Sequence, residues 1–308
     1  MSKQGGRSVL EIDGRQVTVS HLDKIFYPKS GFRKGDVLQY YIQIAPYLLP
    51  HLQDRPVTLK RYPEGVEGEF FYEKRCPSYR PSWIKTKEVA SSRHAVIPYF
   101  VVSDLPSIVW AANLANLEWH PFLHRANATT RPTAIVFDLD PGPPAGMTEC
   151  CLVALELREL LHSLDLECFA KTSGSKGVQL YLPLNGRATY AKTKPFAEAV
   201  AQLMETRHPQ QIVSRMSRHL RPGKVLIDWS QNDSKKTTAG VYSLRAVETP
   251  SVSTPITWTE VELAANKKRM LRFTPAEVLD RVASAGDHFL PVLQLRQTLP
   301  ELASTRRS

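Results

Sequence analysis

Two aspartates separated by one residue, Asp138 and Asp140, are where this chain could do chemistry. They end an apolar run, Thr133-Ala-Ile-Val-Phe137, that the turn formers Pro141-Gly142-Pro143-Pro144 bring to a stop. Side chains alternate along a strand, so residues two apart share a face. Both carboxylates then point the same way at a strand end, with no salt partner in the local sequence. Like charges so placed repel unless a cation sits between them. A divalent metal with hard oxygen ligands answers that need. The competing reading is a strand-to-turn corner with two solvated acids, and the residues downstream weigh against it.

A third carboxylate, Asp228, ends the apolar run Val225-Leu-Ile227, 88 residues beyond Asp140. It can complete a two-metal site, in which the ions lower the pKa of an attacking hydroxyl and neutralise leaving phosphates. A strand-end acid is commonplace by itself, but this one is surrounded by positive charge. Between Arg207 and Arg245 there are eight lysines and arginines against two aspartates. The segment Ser173-Gly174-Ser175-Lys176-Gly177 joins two strand-like runs. Its glycines let successive N–H groups turn inward as an anion nest, and Lys176 adds a point charge. It lacks the Walker spacing and opens no helix, so it is no P-loop. Taken alone it also reads as an ordinary Gly/Ser turn.

The chain as a whole has 308 residues, 42% hydrophobic and 23% charged, enough to bury a large core as one big domain or two small ones. Lysine and arginine number 40 against 30 acids, a net charge of +10 that favours a polyanionic partner. The four cysteines, Cys76, Cys150, Cys151 and Cys168, have no zinc or disulfide spacing. The start lacks the apolar core of a secretory signal and no run approaches membrane-spanning length, so we expect a cytoplasmic, nucleoid-associated protein without a membrane partner.

The elements that must position these residues follow from pattern. Val9–Ile12 and Val17–Ser20 flank the hairpin turn Asp13-Gly14. An amphipathic helix over 37–45 is expected to end near Pro46 and Pro50. Strands are expected at 56–61, 69–72 and 96–102, a long basic loop with a possible strand at 74–93, and a helix over 107–118. In the second half, helices are expected at 149–164, 194–205, 259–265 and 275–283. Strands are expected at 167–171, 178–182 and 224–229, with another beginning at 242–245. Strands mixed with helices, hairpins included, argue for an α+β protein of two lobes. We divide it into a disordered lead-in (1–8), a single two-lobed domain (9–300) and a flexible tail (301–308).

Taken in order, Val136-Phe-Asp-Leu-Asp-Pro-Gly142, Thr172-Ser-Gly-Ser-Lys-Gly177 and Val225-Leu-Ile-Asp-Trp-Ser-Gln-Asn232 resemble the polymerase domain of bacterial DNA ligase D. That family lies in the archaeo-eukaryotic primase superfamily. Thr237-Thr-Ala239, Tyr242-Ser-Leu-Arg245 and Leu114-Ala-Asn-Leu-Glu-Trp-His120 extend the likeness over roughly residues 10–300. It implies a two-lobed primase-polymerase fold, with mixed and antiparallel sheets flanked by helices. Asp138, Asp140 and Asp228 would bind two metals, Mn2+ or Mg2+. Ser173 and Lys176 would hold the triphosphate of an NTP or dNTP. His120, Gln179, Arg221, Gln231 and Arg245 match positions around the incoming nucleotide. Lys24 and Lys34 match a basic pair for the 5′-phosphate of a downstream DNA strand. Phe70 and Phe71 match aromatics that pack on template bases. Without the family, each lysine is a surface charge, and one of the two phenylalanines on a strand would be core. His120 and His124 would read as a metal pair were Pro121 not between them.

The implied reaction is template-directed nucleotide addition to a primer 3′-hydroxyl at gaps or 5′-phosphorylated ends during non-homologous end joining. A Ku-like end-binding protein and a separate ligase would be its partners. One position departs from the pattern: where the family has histidine after Lys-Gly-x, this chain has Gln179. Glutamine still donates and accepts hydrogen bonds but carries no imidazolium charge. Two rivals follow. A haloacid-dehalogenase-like phosphatase shares the Val-Phe-Asp-Leu-Asp run but continues with Gly-Thr, and a DNA-end-binding scaffold of the same fold would have lost catalysis through Gln179.

Overall fold

Two sheets carry the three aspartates, Gln179 and His120, and their strands are largely the β-branched and aromatic runs of the sequence. The computed structural model describes residues 6–90, 96–267 and 271–301. The first sheet has five strands arranged around Pro56–Arg61. One edge of that strand pairs antiparallel with Asn116–Pro121. Along the other edge, Val96–Val101 pairs with its start and Phe71–Glu73 with its end. Thr86–Ala90 closes the sheet against Val96–Val101.

The second sheet has six strands, in the order Ile212–Val213, Val225–Asp228, Ala134–Pro141, Val178–Pro183, Phe169–Thr172 and Pro255–Ile256. Neighbours are antiparallel except the first two. The strand bearing Asp138 and Asp140 is therefore central, with a partner on each edge. Helices Met147–His162 and Tyr190–Arg207 pack against it. One continuous hydrophobic core joins the sheets, running from Phe100 and Trp119 in the first to Phe137 and Leu139 in the second. The α+β class expected from the sequence is the one observed. All four cysteines are buried and unpaired.

The local rules hold where they concern turns. Asp13 and Gly14 both take positive φ, 48° and 71°, the type I′ geometry that a two-residue hairpin favours. Strand pairing already begins at Arg7, so Arg7 and Ser8 leave the expected lead-in. The rest of that lead-in apart from Gly6, the tail beyond Glu301 and the end of the expected basic loop (91–93) lie outside the described residues.

Two expectations fail where tertiary packing overrides the local signal. The first helix runs from Lys34 to Leu52, straight through Pro46 and Pro50. A proline inside a helix costs about 3 kcal/mol, but Val37, Tyr41, Ile44, Leu48 and Leu52 form one buried face that carries the helix onward. The helix expected at 107–118 spans only Leu105–Asn113. Ala115 then takes a left-handed φ of 65°, and Asn116–Pro121 continues as a strand. That change matters for the site. On a strand, Asn116, Glu118 and His120 share one face.

Candidate active site

Asp138 sits opposite Asp228 on one neighbouring strand and opposite Gln179 on the other. Asp140 follows two residues later on the same face, at the exposed end of the strand. Burial pushes the Asp138 carboxyl up to about 6, and the Asp228 and Asp140 carboxylates push the same way against the Gln179 hydrogen bond and Lys171. Asp228 spends both oxygens locally. Its Oδ1 accepts from the Ser230 N–H at 2.8 Å and hydroxyl at 2.6 Å, and its Oδ2 from the Gln231 amide at 2.9 Å. Asp140 lies 3.6 Å from the Arg221 guanidinium. Among the described residues, no three acidic, histidine or cysteine side chains are gathered closely enough to hold a metal. The donor chemistry nonetheless fits a hard divalent cation, because every donor is oxygen and burial, with the neighbouring Asp228 and Asp140, makes the ionised Asp138 costly unless a cation offsets its charge.

The phosphate-type loop lies beside these acids because it joins Phe169–Thr172 to Val178–Pro183, the strand next to the carboxylate strand. Ser173 Oγ accepts from the backbone N–H groups of Ser175 and Gly177, at 3.2 and 3.1 Å, and so closes the loop on itself. Any Cβ on Gly177 would run into the Leu139 carbonyl, which is why the loop can lie flat against the carboxylate strand. Gly174 has φ of 71°, and a Cβ there would meet Arg245 Cγ at 2.7 Å. Arg245 donates to the Ser173 carbonyl and fastens the loop from below.

Gln179 is buried rather than free. It accepts from Lys171 at 2.6 Å and donates to Thr238 at 3.2 Å. Lys171 is fully buried, and burial followed by Arg245 pulls its ammonium down to about 7.

A cavity of about 1520 Å³ opens between the sheets. Asp138, Asp140, Ser173, Lys176 and Gln179 line one side, and His120, Gln231 and Arg245 also face it. Eight of the residues expected at the site thus meet in one cavity. Asp228 joins through its pairing with Asp138, and Arg221 through Asp140.

The remaining four expected residues lie elsewhere. Phe70 and Phe71 are 48% and 54% exposed, so neither is the core residue that a strand reading required of one of them. The strand in fact starts at Phe71. Lys24 pairs with Glu64 at 2.7 Å. Lys34 is buried, not the surface charge that the residues alone suggested, and donates to the Ser20 carbonyl at 2.7 Å and the Asn113 amide oxygen at 2.8 Å. Burial and the nearby Lys24 and Arg61 charges pull Lys34 down to about 8.

Glu118 was missed in the sequence, although it stands two residues from His120. Read as helix, that spacing separates them; read as strand, it puts both on one face. Glu118 is 2% exposed and accepts from His120 Nε2 at 2.9 Å. Lys60, Tyr62 and the Ala246 N–H surround its other oxygen at 3.3, 3.3 and 3.1 Å. Burial alone would raise its pKa, but His120, Arg245 and Lys60 hold it well below the carboxylate range.

A profile of the LigD primase-polymerase domain matches residues 33–289, which include Asp138, Asp140 and Asp228, the glycine loop and Arg245. The chain belongs to the LigD primase-polymerase family. A multifunctional non-homologous end joining protein LigD from Mycolicibacterium smegmatis is 40% identical over 279 residues, covering 90% of this chain and 36% of the relative. The bifunctional LigD of Bacillus subtilis is 34% identical over 281 residues, covering 91% of this chain and 44% of the relative. The chain thus spans less than half the length of these LigD relatives. A solved LigD-family structure, the polymerase domain of Mycobacterium tuberculosis ligase D in complex with DNA, superposes with a TM-score of 0.84 at 35% identity. That match covers 91% of this chain and 99% of the other. Family membership removes the dehalogenase-like phosphatase from consideration. Among the described residues, no helix is long and apolar enough to cross a membrane.

Proposed function

We propose that the chain is a template-directed nucleotidyltransferase that extends a primer 3′-hydroxyl at gaps or broken DNA ends in non-homologous end joining. The observation that carries this reading is the shared cavity wall. Paired strand-end carboxylates stand beside a glycine loop with Lys176 and Arg245, so a metal-type site faces a phosphate-type site. Asp138, Asp140 and Asp228 would hold two divalent ions, Mn2+ or Mg2+. When bound, such ions polarise the reacting phosphate and lower the pKa of the attacking hydroxyl.

The chain's own residues do the rest. Ser173 and Lys176 take the triphosphate, and Arg245 keeps the loop in place while pyrophosphate leaves. His120, Gln179, Arg221 and Gln231 surround the nucleotide. Phe70 and Phe71 offer exposed rings on which template bases stack, each base worth about 1–3 kcal/mol. Lys24 and Lys34 read the downstream 5′-phosphate. Lys34 supports this because its ammonium meets neutral oxygens and is depressed by burial, with Lys24 and Arg61 adding to it, so an added anion relieves it.

The working unit is a single two-lobed domain over 9–300, acting in the cytoplasm at the nucleoid with a Ku-like protein and a separate ligase. Primer extension on 5′-phosphorylated gapped DNA, with Mn2+ and each nucleotide type, tests the proposal. Binding without extension would leave the scaffold reading in its place.

A further inference from the structure

We propose that Glu118 is a positioning residue: it fixes His120 and Arg245 in the geometry that receives the nucleotide and links them through Lys60 to the aromatic rings at Phe70. The inference rests on the nucleotidyltransferase reading above for what His120 and Arg245 touch. The geometry of the hub stands independently of it.

Every polar group around Glu118 is a donor. His120 Nε2 meets Oε2 at 2.9 Å, and Arg245 Nε stands 3.2 Å from the same oxygen. The Arg245 contact is off the hydrogen-bond axis and acts as an ion pair. Lys60, Tyr62 and the Ala246 N–H meet Oε1. An ionised carboxylate accepts only, so Nε2 of His120 must carry its proton and Nδ1 is left for other partners. The ring is further steadied by an edge contact with Tyr72, centroids 6.0 Å apart.

Arg245 reaches the other way, to the Ser173 carbonyl at the start of the glycine loop. Lys60 reaches a third way. Its ammonium is 4.4 Å from the Phe70 ring centroid and 5.5 Å from that of Tyr72. A cation over a ring face is attracted to it. One buried carboxylate thus connects the histidine, the phosphate loop and the exposed aromatic platform. Lys60 and Glu118 are register partners on adjacent strands, which makes the hub a product of sheet pairing.

Glu118→Gln tests this, because an amide must turn its NH2 toward donors at one end. Histidine 15N NMR on the native chain, with His120 assigned by its loss in His120→Asn, is expected to show Nε2 protonated. In Glu118→Gln the His120 signals should move. The variant's KM for nucleotide should rise about tenfold or more, a change of ~1.4 kcal/mol. A native His120 with Nε2 unprotonated would overturn the proposal even if the variant fails to fold. So would a folded variant with native KM and native His120 signals. Should the native chain add no nucleotide to any primer, the polymerase reading falls, and the NMR result still decides whether Glu118 sets His120.

Discussion

Asp138 and Glu118 are carboxylates on different sheets, the first lining the cavity and the second buried against His120 and Arg245, which line it, and their surroundings are opposites. Glu118 is fully compensated: cations and hydrogen-bond donors meet both oxygens, and its pKa is held well below the ordinary range. Asp138 faces two further carboxylates, and its pKa is pushed up to about 6. A compensated buried acid holds other residues still. An uncompensated one stores repulsion that a cation can relieve. The difference separates a scaffold acid from a candidate metal ligand without reference to any relative.

The largest expected effect comes from removing the three strand-end aspartates. Asp138→Ala, Asp140→Ala or Asp228→Ala should each cut primer extension by roughly 10³-fold or more, since metal stabilisation is worth several kcal/mol. DNA binding should persist, because lysines and arginines make the phosphate contacts. Full activity in any folded single variant would remove that carboxylate from the site.

Stability should respond to the two acids with opposite signs. An ordinary aspartate titrates near 3.8 and the folded Asp138 near 6, so between those values the folded state binds more protons and stability falls as pH rises. Asp138→Asn should flatten that fall and leave the protein at least as stable as native at neutral pH. Glu118 has a depressed pKa, so its contribution is present in full above the unfolded glutamate value of 4.5 and is lost progressively as pH falls below it toward the folded value. Glu118→Ala should therefore cost about 3–5 kcal/mol at neutral pH, the usual penalty for breaking a buried pair. Denaturant melts across pH would expose the contrast, and equal slopes for both variants would erase it.

A smaller effect is expected at Lys24 and Lys34. Native protein should bind a 5′-phosphorylated downstream end about tenfold more tightly than a hydroxyl end, in line with charge-assisted hydrogen bonds of ~1.5–3 kcal/mol. Lys24→Ala combined with Lys34→Ala should abolish the preference. The preference should also weaken as pH rises through about 8, where Lys34 loses its charge. A preference that survives the double substitution means the phosphate is read elsewhere.

The smallest effect is expected from Gln179→His. Gln179 already satisfies Lys171 and Thr238, so an imidazole there should change the rate only modestly. A gain of about 10²–10⁴-fold, the range of general acid–base help, would show that the missing histidine matters.

Much of this was legible in the sequence, for reasons that differ by residue. Asp138, Asp140 and the Ser173–Gly177 loop announce themselves because strand alternation and glycine turns are local rules. Gln231 was foreseen near the nucleotide, yet here it also holds Asp228, a pairing that only the fold reveals. Pro46 and Pro50 misled because a buried face outweighed their local penalty. Glu118 stayed hidden because an apolar run after Leu105 reads equally as helix or strand. Only the left-handed Ala115 breaks the tie, and alanine gives no sign of it. Lys34 looked like a surface lysine because its enclosure comes from Asn113, 79 residues away.

The strand-end carboxylates, Asp138 above all, are the core of the account, and one experiment addresses them directly. Primer extension by the native chain on 5′-phosphorylated gapped DNA should require Mn2+ or Mg2+, and Asp138→Asn should abolish it while binding the same DNA as tightly as native. No incorporation by the native chain, with extension appearing only in Gln179→His, would contradict it and leave a protein that holds DNA ends without extending them.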